Sequence, residues 1–162
     1  MVPEINRILF PTDLSETSGF AFNYAAGLAN RYDASIVIMH VLKDVTHGSD
    51  SLITSVISEE RWQEILTRKR AEVIEKIQRR LENFCVETRS RLSGCPFLME
   101  RIIVLIGNPI EEILKEAGKT DYDLVVMGAH GHGAIAGAVM GSVSRRVVRR
   151  CKKPVLLVRL PD

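Results

Sequence analysis

The stretch YDLVVMGAHGHGAIAGAVMGSVSRRVVRRCKKPVLLVRL, residues 122–160, contains every kind of segment from which the fold is built. The apolar runs at its two ends, YDLVVMG and PVLLVRL, are typical of buried strands, and SVSRRVVRRC between them has helical spacing. A glycine-rich segment joins the first strand to that helix. The order of strand, helix and strand predicts a parallel pair joined by a right-handed crossover.

The same alternation runs through the upstream part of the chain. RILFPTD, SIVIMHV and FLMERIIVLI are predicted strands because they are short, apolar and rich in β-branched residues. Ser15, Ser58 and Asn108 are the expected caps of three helices, which end near Arg31, Gly94 and Gly118. The second helix is the longest, and its apolar stripe comprises Trp62, Ile65, Leu66, Val73, Ile77, Leu81 and Phe84.

Strands and helices therefore alternate five times. Uniformly apolar strands separated by helices predict a doubly wound α/β fold, a five-stranded parallel sheet covered by helices on both faces. The length favours a single domain over residues 1–162. With right-handed crossovers and a strand order of 3-2-1-4-5, the ligand crevice lies between strands 1 and 4. The loops at that crevice are PTDLS and the glycine segment.

Composition is that of an ordinary globular protein: 46% apolar residues, 26% charged residues and a net charge of +2. That charge is too small to indicate a nucleic-acid partner. A solvated helix carboxyl end explains most of the basic cluster Arg145, Arg146, Arg149, Arg150, Lys152 and Lys153. Three cysteines without a C-x-x-C pair favour a reducing compartment. The start MVPEINRILF resembles neither a signal peptide nor a membrane span, so we expect a cytoplasmic protein.

The glycine segment allows several interpretations. Gly133, Gly137 and Gly141 stand four apart, as in a membrane-helix contact, but the run AIAGAVM is far too short for a span. A simple turn whose glycines supply positive φ remains an alternative. A phosphate site is favoured because Gly128 ends a strand, the next glycines free the turn, and Gly141 opens a helix. Ser142 and Ser144 add hydroxyl donors there.

The spacing G-x2-G-x9-G-[S/T] is complete as Gly128, Gly131, Gly141 and Ser142. Together with ILFPTDLSE, GNPIEEILKEAGKTDYDLVVMGAHG and GSVSRRVVRRCKKPVLLVR, it resembles the ATP-binding branch of the universal stress proteins. Only the region from about Lys43 to Gly94 lacks a family signature. The resemblance implies the strand order 3-2-1-4-5, an ATP-binding cleft, and a homodimer formed largely through the last strand, Val155 to Val158.

The resemblance also implies a set of binding residues. Pro11, Thr12 and Asp13 would lie beside the adenine and ribose, Val41 would wall the adenine, Met127, Gly128, His130, Gly131, His132 and Gly133 would hold the ribose and phosphates, and Gly141, Ser142, Val143 and Ser144 would grip the phosphates. Mg²⁺ or Mn²⁺ would bind through the phosphates. His132 departs from the family, which often has a basic residue there, and this predicts weaker or pH-sensitive phosphate binding.

No catalytic residue is predicted. The recognised motif contains neither a Walker lysine nor a carboxylate placed as a base, which favours ATP binding with slow or no turnover. An adenylyl-transferring enzyme is an alternative, although its His-x-Gly-His element would follow the first strand and not the fourth. A ligand-free dimeric module is another. Two histidines, His130 and His132, without a third ligand nearby are weak evidence for zinc. For Asp13, the alternative to ligand binding is a helix-entry residue that satisfies local amides.

Overall fold

The structure, a computed structural model, describes residues 1–43, 58–92, 98–131 and 140–161. Its strands are β1 (Arg7–Pro11), β2 (Ser35–Leu42), β3 (Leu98–Ile106), β4 (Leu124–Gly128) and β5 (Val155–Val158). Its helices are α1 (Glu16–Tyr32), α2 (Glu59–Arg91), α3 (Pro109–Ala117) and α4 (Ser142–Arg150). The strands form one parallel sheet in the order β3-β2-β1-β4-β5. The predicted fold class and strand order are confirmed.

Two hydrophobic clusters cover the two faces of the sheet. Successive side chains of a strand point to opposite faces, so Phe10 enters the cluster beneath α1 and α2, while Leu9 enters the cluster beneath α3 and α4. Phe22 of α1 packs edge-on against Phe10, with ring centroids 5.0 Å apart. Because β1 and β4 are buried on both faces, their carboxyl ends are held rigidly side by side.

Three helix starts are closed by side chains, as predicted. Ser15 Oγ accepts a hydrogen bond from Ser18 N at 3.2 Å at the start of α1. Ser58 Oγ accepts one from Arg61 N at 3.3 Å at the start of α2. Asn108 Oδ1 accepts one from Ile110 N at 3.0 Å at the start of α3. Each cap satisfies an amide that has no partner within the helix.

The long helix differs from its prediction. It ends at Arg91, with Leu92 as cap, and Gly94 lies outside the described residues. Val73 is 43% exposed, so the predicted apolar stripe is not buried along its whole length. A helix of 33 residues is about 50 Å long, which exceeds the sheet it covers. Its fully buried residues, Leu81, Cys85 and Thr88, all lie in its carboxyl-terminal part.

A polar network fixes the amino-terminal edge of the sheet, opposite the crevice. Asp123 Oδ2 accepts hydrogen bonds from Asn6 N at 2.8 Å and Arg7 N at 3.0 Å, which ties the start of β4 to β1. The buried Tyr122 hydroxyl donates to Glu116 Oε1 at 2.6 Å. Burial and this bond raise the pKa of Tyr122 to about 12, so the phenol stays protonated as a donor.

Candidate functional site

A cavity of about 520 Å³ lies beyond the carboxyl ends of β1 and β4. Its residues come from six elements: Pro11, Thr12 and Asp13 at the end of β1 and just beyond; Ser18 of α1; Met39, Val41 and Lys43 of β2 and just beyond; Pro109 and Ile113 of α3; Met127, Gly128, His130 and Gly131 of β4 and just beyond; and Met140, Gly141, Ser142, Val143, Ser144 and Arg145 at the start of α4. This is the crevice expected where the strand order of a doubly wound sheet reverses.

Every predicted binding residue that the structure describes lines this one cavity. They are Pro11, Thr12, Asp13, Val41, Met127, Gly128, His130, Gly131, Gly141, Ser142, Val143 and Ser144. His132 and Gly133 lie outside the described residues, so the question raised by His132 keeps the status of a prediction. Three separate parts of the sequence are thus brought to one place, while their role in binding stays a prediction.

The loop between β1 and α1 is held by its own short polar side chains. Thr12 Oγ1 accepts from Leu14 N at 3.0 Å and from Ser18 Oγ at 2.6 Å. Leu14 has φ 64, a left-handed conformation that is unfavourable for a branched side chain. Leu14 also packs against the hydrophobic cluster beneath α1 and α2, and this contact offsets the unfavourable backbone conformation. These contacts stabilise the conformation of the loop beside the cavity.

Strand β2 supports the same loop from below. Thr12 N donates to Met39 O at 2.8 Å, which extends the sheet pairing by one residue. The carbonyl oxygen of Thr12 accepts a hydrogen bond from His40 Nδ1 at 2.7 Å. Because a carbonyl is only an acceptor, this contact requires the proton on Nδ1. His40 is a buried histidine with a structural partner.

Asp13 makes a local hydrogen bond and also lines the cavity. Its Oδ1 accepts from Ser15 N at 3.0 Å, so the predicted alternative of a helix-entry residue is part of its role. Its Oδ2 approaches Gly131 so closely that a Cβ built on Gly131 would lie 2.0 Å away. Asp13 also lines the cavity. The local and the cavity-facing interpretations of Asp13 are compatible.

The three motif glycines serve close packing. A Cβ at Gly128 would lie 3.2 Å from Ser18 N, and one at Gly141 would lie 3.3 Å from Ala129 O. None of Gly128, Gly131 and Gly141 has a left-handed φ. The alternative that these three glycines only supply positive φ is therefore wrong. Without side chains, the loop after β4 fits between the starts of α1 and α4.

The start of α4 differs from the other three helix starts. Its N-cap is Gly141, which has no side chain to accept a hydrogen bond. The amides of Ser142, Val143 and Ser144 are the first three of the helix and have no acceptor within it. The Ser144 hydroxyl, predicted as a ligand donor, donates instead to Ala129 O at 2.6 Å. Ser142 is exposed and supplies the available hydroxyl, and helix amides without an acceptor favour an anion.

Seven lining residues were missed by the sequence prediction: Ser18, Met39, Lys43, Pro109, Ile113, Met140 and Arg145. Arg145 was assigned to a solvated helix carboxyl end, and that assignment was wrong because α4 starts at Ser142. Residues three apart share a helix face, so the spacing of Ser142 and Arg145 could have predicted that both line the cavity. Lys43 follows β2 directly and had no comparable signal. Among the described residues, no group of three or more His, Cys, Asp or Glu side chains is arranged to hold a metal ion.

In the part of the chain that is described, no helix has the length and apolarity needed to cross a membrane. Apolar walls from Met39, Val41 and Met127 meet free amides and a hydroxyl at Ser142. Such a site can take a ligand with a flat apolar part and an anionic part.

Comparisons with known proteins agree with this geometry. The universal stress protein family model matches residues 4–159. A universal stress protein of Thermus aquaticus is 32% identical over 152 residues, covering 94% of this chain and 97% of the relative. Universal stress protein MJ0577 of Methanocaldococcus jannaschii is 26% identical over 153 residues, with 94% of each chain covered.

Solved structures share the fold over almost the full length. The structure of MJ0577 superposes with a TM-score of 0.74 at 25% identity, covering 99% of each chain. A universal stress protein in complex with cAMP superposes with a TM-score of 0.61 at 22% identity, covering 97% of this chain and 98% of that one. The second likeness is one of fold.

Proposed function

This chain belongs to the universal stress protein family, and we propose that it binds ATP in the crevice between β1 and β4. One observation carries the proposal: a single cavity joins apolar walls to the uncapped start of α4. Apolar walls suit an adenine ring, and free amides at a helix start suit phosphates. The volume of about 520 Å³ lies within the roughly 300–1,000 Å³ of small-molecule sites.

The proposed orientation follows the chemistry of the lining. Adenine lies against Pro11 and Val41, and Asp13 contacts the adenine or ribose at that end. The phosphate chain runs past the loop after β4 to the start of α4. Ribose and phosphates are held by Met127, Gly128, His130, Gly131, His132 and Gly133, and the phosphates by Gly141, Ser142, Val143 and Ser144. Ser144 contributes its amide, because its hydroxyl is bonded to Ala129 O.

We propose slow or no hydrolysis of the bound ATP. Asp13 is the sole carboxylate among the described residues of the lining, and we assign it to the adenine or ribose and not to the terminal phosphate. One of its oxygens already accepts from Ser15 N. A base that activates water has to reach the terminal phosphate. Mg²⁺ or Mn²⁺ enters with the nucleotide, bound through phosphate oxygens.

We propose that the protein forms a homodimer through β5. We also propose that ATP sets the conformation or partner choice of this dimer in a stress response. Val155–Val158 pairs with β4 on one side and is the last strand of the sheet on the other. An apolar edge strand with unpaired backbone groups favours pairing with a second copy across a two-fold axis. Sedimentation velocity at micromolar concentration is expected to show a dimer, and a monomer would contradict this part of the proposal.

Two broader expectations belong to the same proposal. Residues 1–162 form one domain, because β5 near the end of the chain completes a sheet that begins with β1. The protein works in the cytoplasm without a nucleic-acid partner, in keeping with its three cysteines and net charge of +2. Fluorescence microscopy of the tagged protein tests the location.

Thermal unfolding with and without Mg-ATP tests the binding proposal. A ligand that binds only the native state stabilises it by about 2.7 kcal/mol at 100 times its dissociation constant. We expect a clear rise in melting temperature with Mg-ATP and a smaller one with Mg-GTP, because the apolar wall is assigned to adenine. Cyclic AMP, the ligand of one structural neighbour, is the third nucleotide to compare. No rise with millimolar Mg-ATP would remove the proposal.

Gly131→Leu separates nucleotide binding from a ligand-free dimeric module. A Cβ there would meet Asp13 Oδ2 at 2.0 Å, so the larger side chain pushes the carboxylate aside and fills the cavity mouth. We expect a folded dimer that has lost ATP. The matched control is Gly27→Ala in α1, where a Cβ would meet nothing within 4 Å. A wild-type protein that never binds ATP would support the module, and pyrophosphate release with an acceptor would support adenylyl transfer.

A further inference from the structure

Arg145 stands where helix electrostatics disfavour a cation. The other three described helices carry acidic residues in their first turns, namely Glu16 in α1, Glu59 and Glu60 in α2, and Glu111 and Glu112 in α3. The first turn of α4 has none, and Arg145 is its fourth residue. The positive end of a helix favours anions and repels a guanidinium. Stability therefore does not explain this residue, and an anion at the same place would.

Arg145 borders the cavity at the start of α4. Arg145 and Ser142 are three residues apart, so they share one face of α4, and both line the cavity. The Cα–Cβ bond of a helical residue tilts toward the amino terminus, which brings the Arg145 side chain toward the free amides. Among the described residues no ion pair involves Arg145, whereas Arg150 of the same helix pairs with Glu111 at 2.8 Å.

The charged residues of the cavity lining come from different elements of the fold. Asp13 lies on the β1 side, where the adenine is proposed to bind. Lys43, another basic residue of the lining, follows β2 two residues after Val41. Arg145 belongs to the start of α4, beside its uncapped amides. A ligand with a flat neutral head and an extended anionic tail matches this arrangement.

We infer that Arg145 binds the terminal phosphates of the nucleotide and makes the site selective for a nucleoside triphosphate over a monophosphate. The inference rests on the proposed function. A guanidinium offers paired N–H donors that match two phosphate oxygens and stays charged at any physiological pH. A monophosphate reaches the amides of α4 with its one phosphate, while the outer phosphates of ATP extend to Arg145.

Calorimetric titration of ATP and AMP into wild type and Arg145→Gln tests this inference, with and without Mg²⁺. Wild type is expected to bind ATP at least about tenfold more tightly than AMP, and the variant to lose roughly tenfold to hundredfold for ATP. Its affinity for AMP stays within about twofold, since that ligand does not reach residue 145. The melting temperature of the free variant stays equal or rises slightly, because a cation leaves the helix start.

Two matched variants make the test specific. Arg146→Gln removes a neighbouring exposed cation that does not line the cavity, and it is expected to leave the ratio of ATP to AMP affinity unchanged. Lys43→Gln changes both affinities alike. Equal loss in Arg146→Gln, or a ratio that only Lys43 controls, overturns the inference. Equal wild-type affinity for ATP and AMP also overturns it but leaves the proposed function intact, whereas binding of neither nucleotide contradicts the proposed function itself.

Discussion

The helices α1 and α4 both begin at the carboxyl end of a central strand, and both starts line the same cavity, yet they are built in opposite ways. In α1, Ser15 Oγ accepts from Ser18 N, Asp13 Oδ1 accepts from Ser15 N, and Glu16 supplies a negative charge. In α4, a glycine stands at the cap, no acid occurs in the first turn, and an arginine follows.

The difference separates a helix start that is complete from one that lacks an anion. Every feature of α1 satisfies exposed amides or the helix dipole with groups from the chain itself. At α4 the same requirements are unmet by the residues beside Gly141, and Ser144 turns its hydroxyl inward. We interpret α1 as a structural element that shapes the cavity and α4 as the element that binds the phosphates.

Ser142→Glu is expected to have the largest effect on this comparison. A carboxylate in the first turn supplies the missing negative charge, so the free protein gains about 0.3–1 kcal/mol of stability. The same charge occupies the phosphate position, and ATP affinity falls by at least about tenfold, or about 1.4 kcal/mol. Urea unfolding and calorimetry measure the two effects. Stability and affinity that fall together would show only a damaged helix.

Most of this contrast was accessible from the sequence. Ser15 and the spacing of Gly128, Gly131 and Gly141 predicted a capped helix and an open one, because caps and glycine turns depend on local backbone chemistry. The position of Arg145 was misjudged, since the cluster of six cations was treated as one surface although α4 divides it between its two ends. Lys43 enters the cavity only through the pairing of β2 with β1, a long-range contact without a local signature.

Two features of the structure could not be predicted from the sequence, because they depend on contacts between distant parts of the chain. The sequence showed that glycines were frequent but not that Gly131 approaches Asp13, because that contact joins loops 118 residues apart by number. The apolar stripe of α2 did not show where the core ends, and Val73, a member of the stripe, is 43% exposed. Local periodicity reports which side of a helix is apolar, and the length of the neighbouring sheet decides how much of it is covered.

Ser15→Ala is expected to have an intermediate effect and to act in the opposite sense. It removes the cap from α1, which costs about 1 kcal/mol of stability. Since the adenine and phosphates are not proposed to contact Ser15, ATP affinity changes by less than about threefold. Thermal unfolding and ATP titration of the same sample measure both. A tenfold loss of ATP affinity with little loss of stability would place a ligand at α1 as well.

Glu16→Gln is expected to have the smallest effect. The exposed carboxylate interacts with the dipole of α1, and its removal costs a few tenths of a kcal/mol, at most about 1 kcal/mol at low salt. High salt screens this interaction, so the difference from wild type shrinks as ionic strength rises. Urea unfolding at two salt concentrations provides the measurement. An unchanged difference at high salt would contradict a dipole effect, and a change in ATP affinity would contradict a purely structural α1.

Amide chemical shifts on titration with ATP and with adenosine test the central claim most directly. The claim is that the uncapped start of α4 binds the phosphates. It predicts that the N–H signals of Ser142, Val143 and Ser144 move strongly with ATP and little with adenosine, while Ser18 N, already bonded to Ser15, moves little with either. Signals of Ser142 to Ser144 that stay in place with ATP, or move equally with adenosine, would contradict the claim.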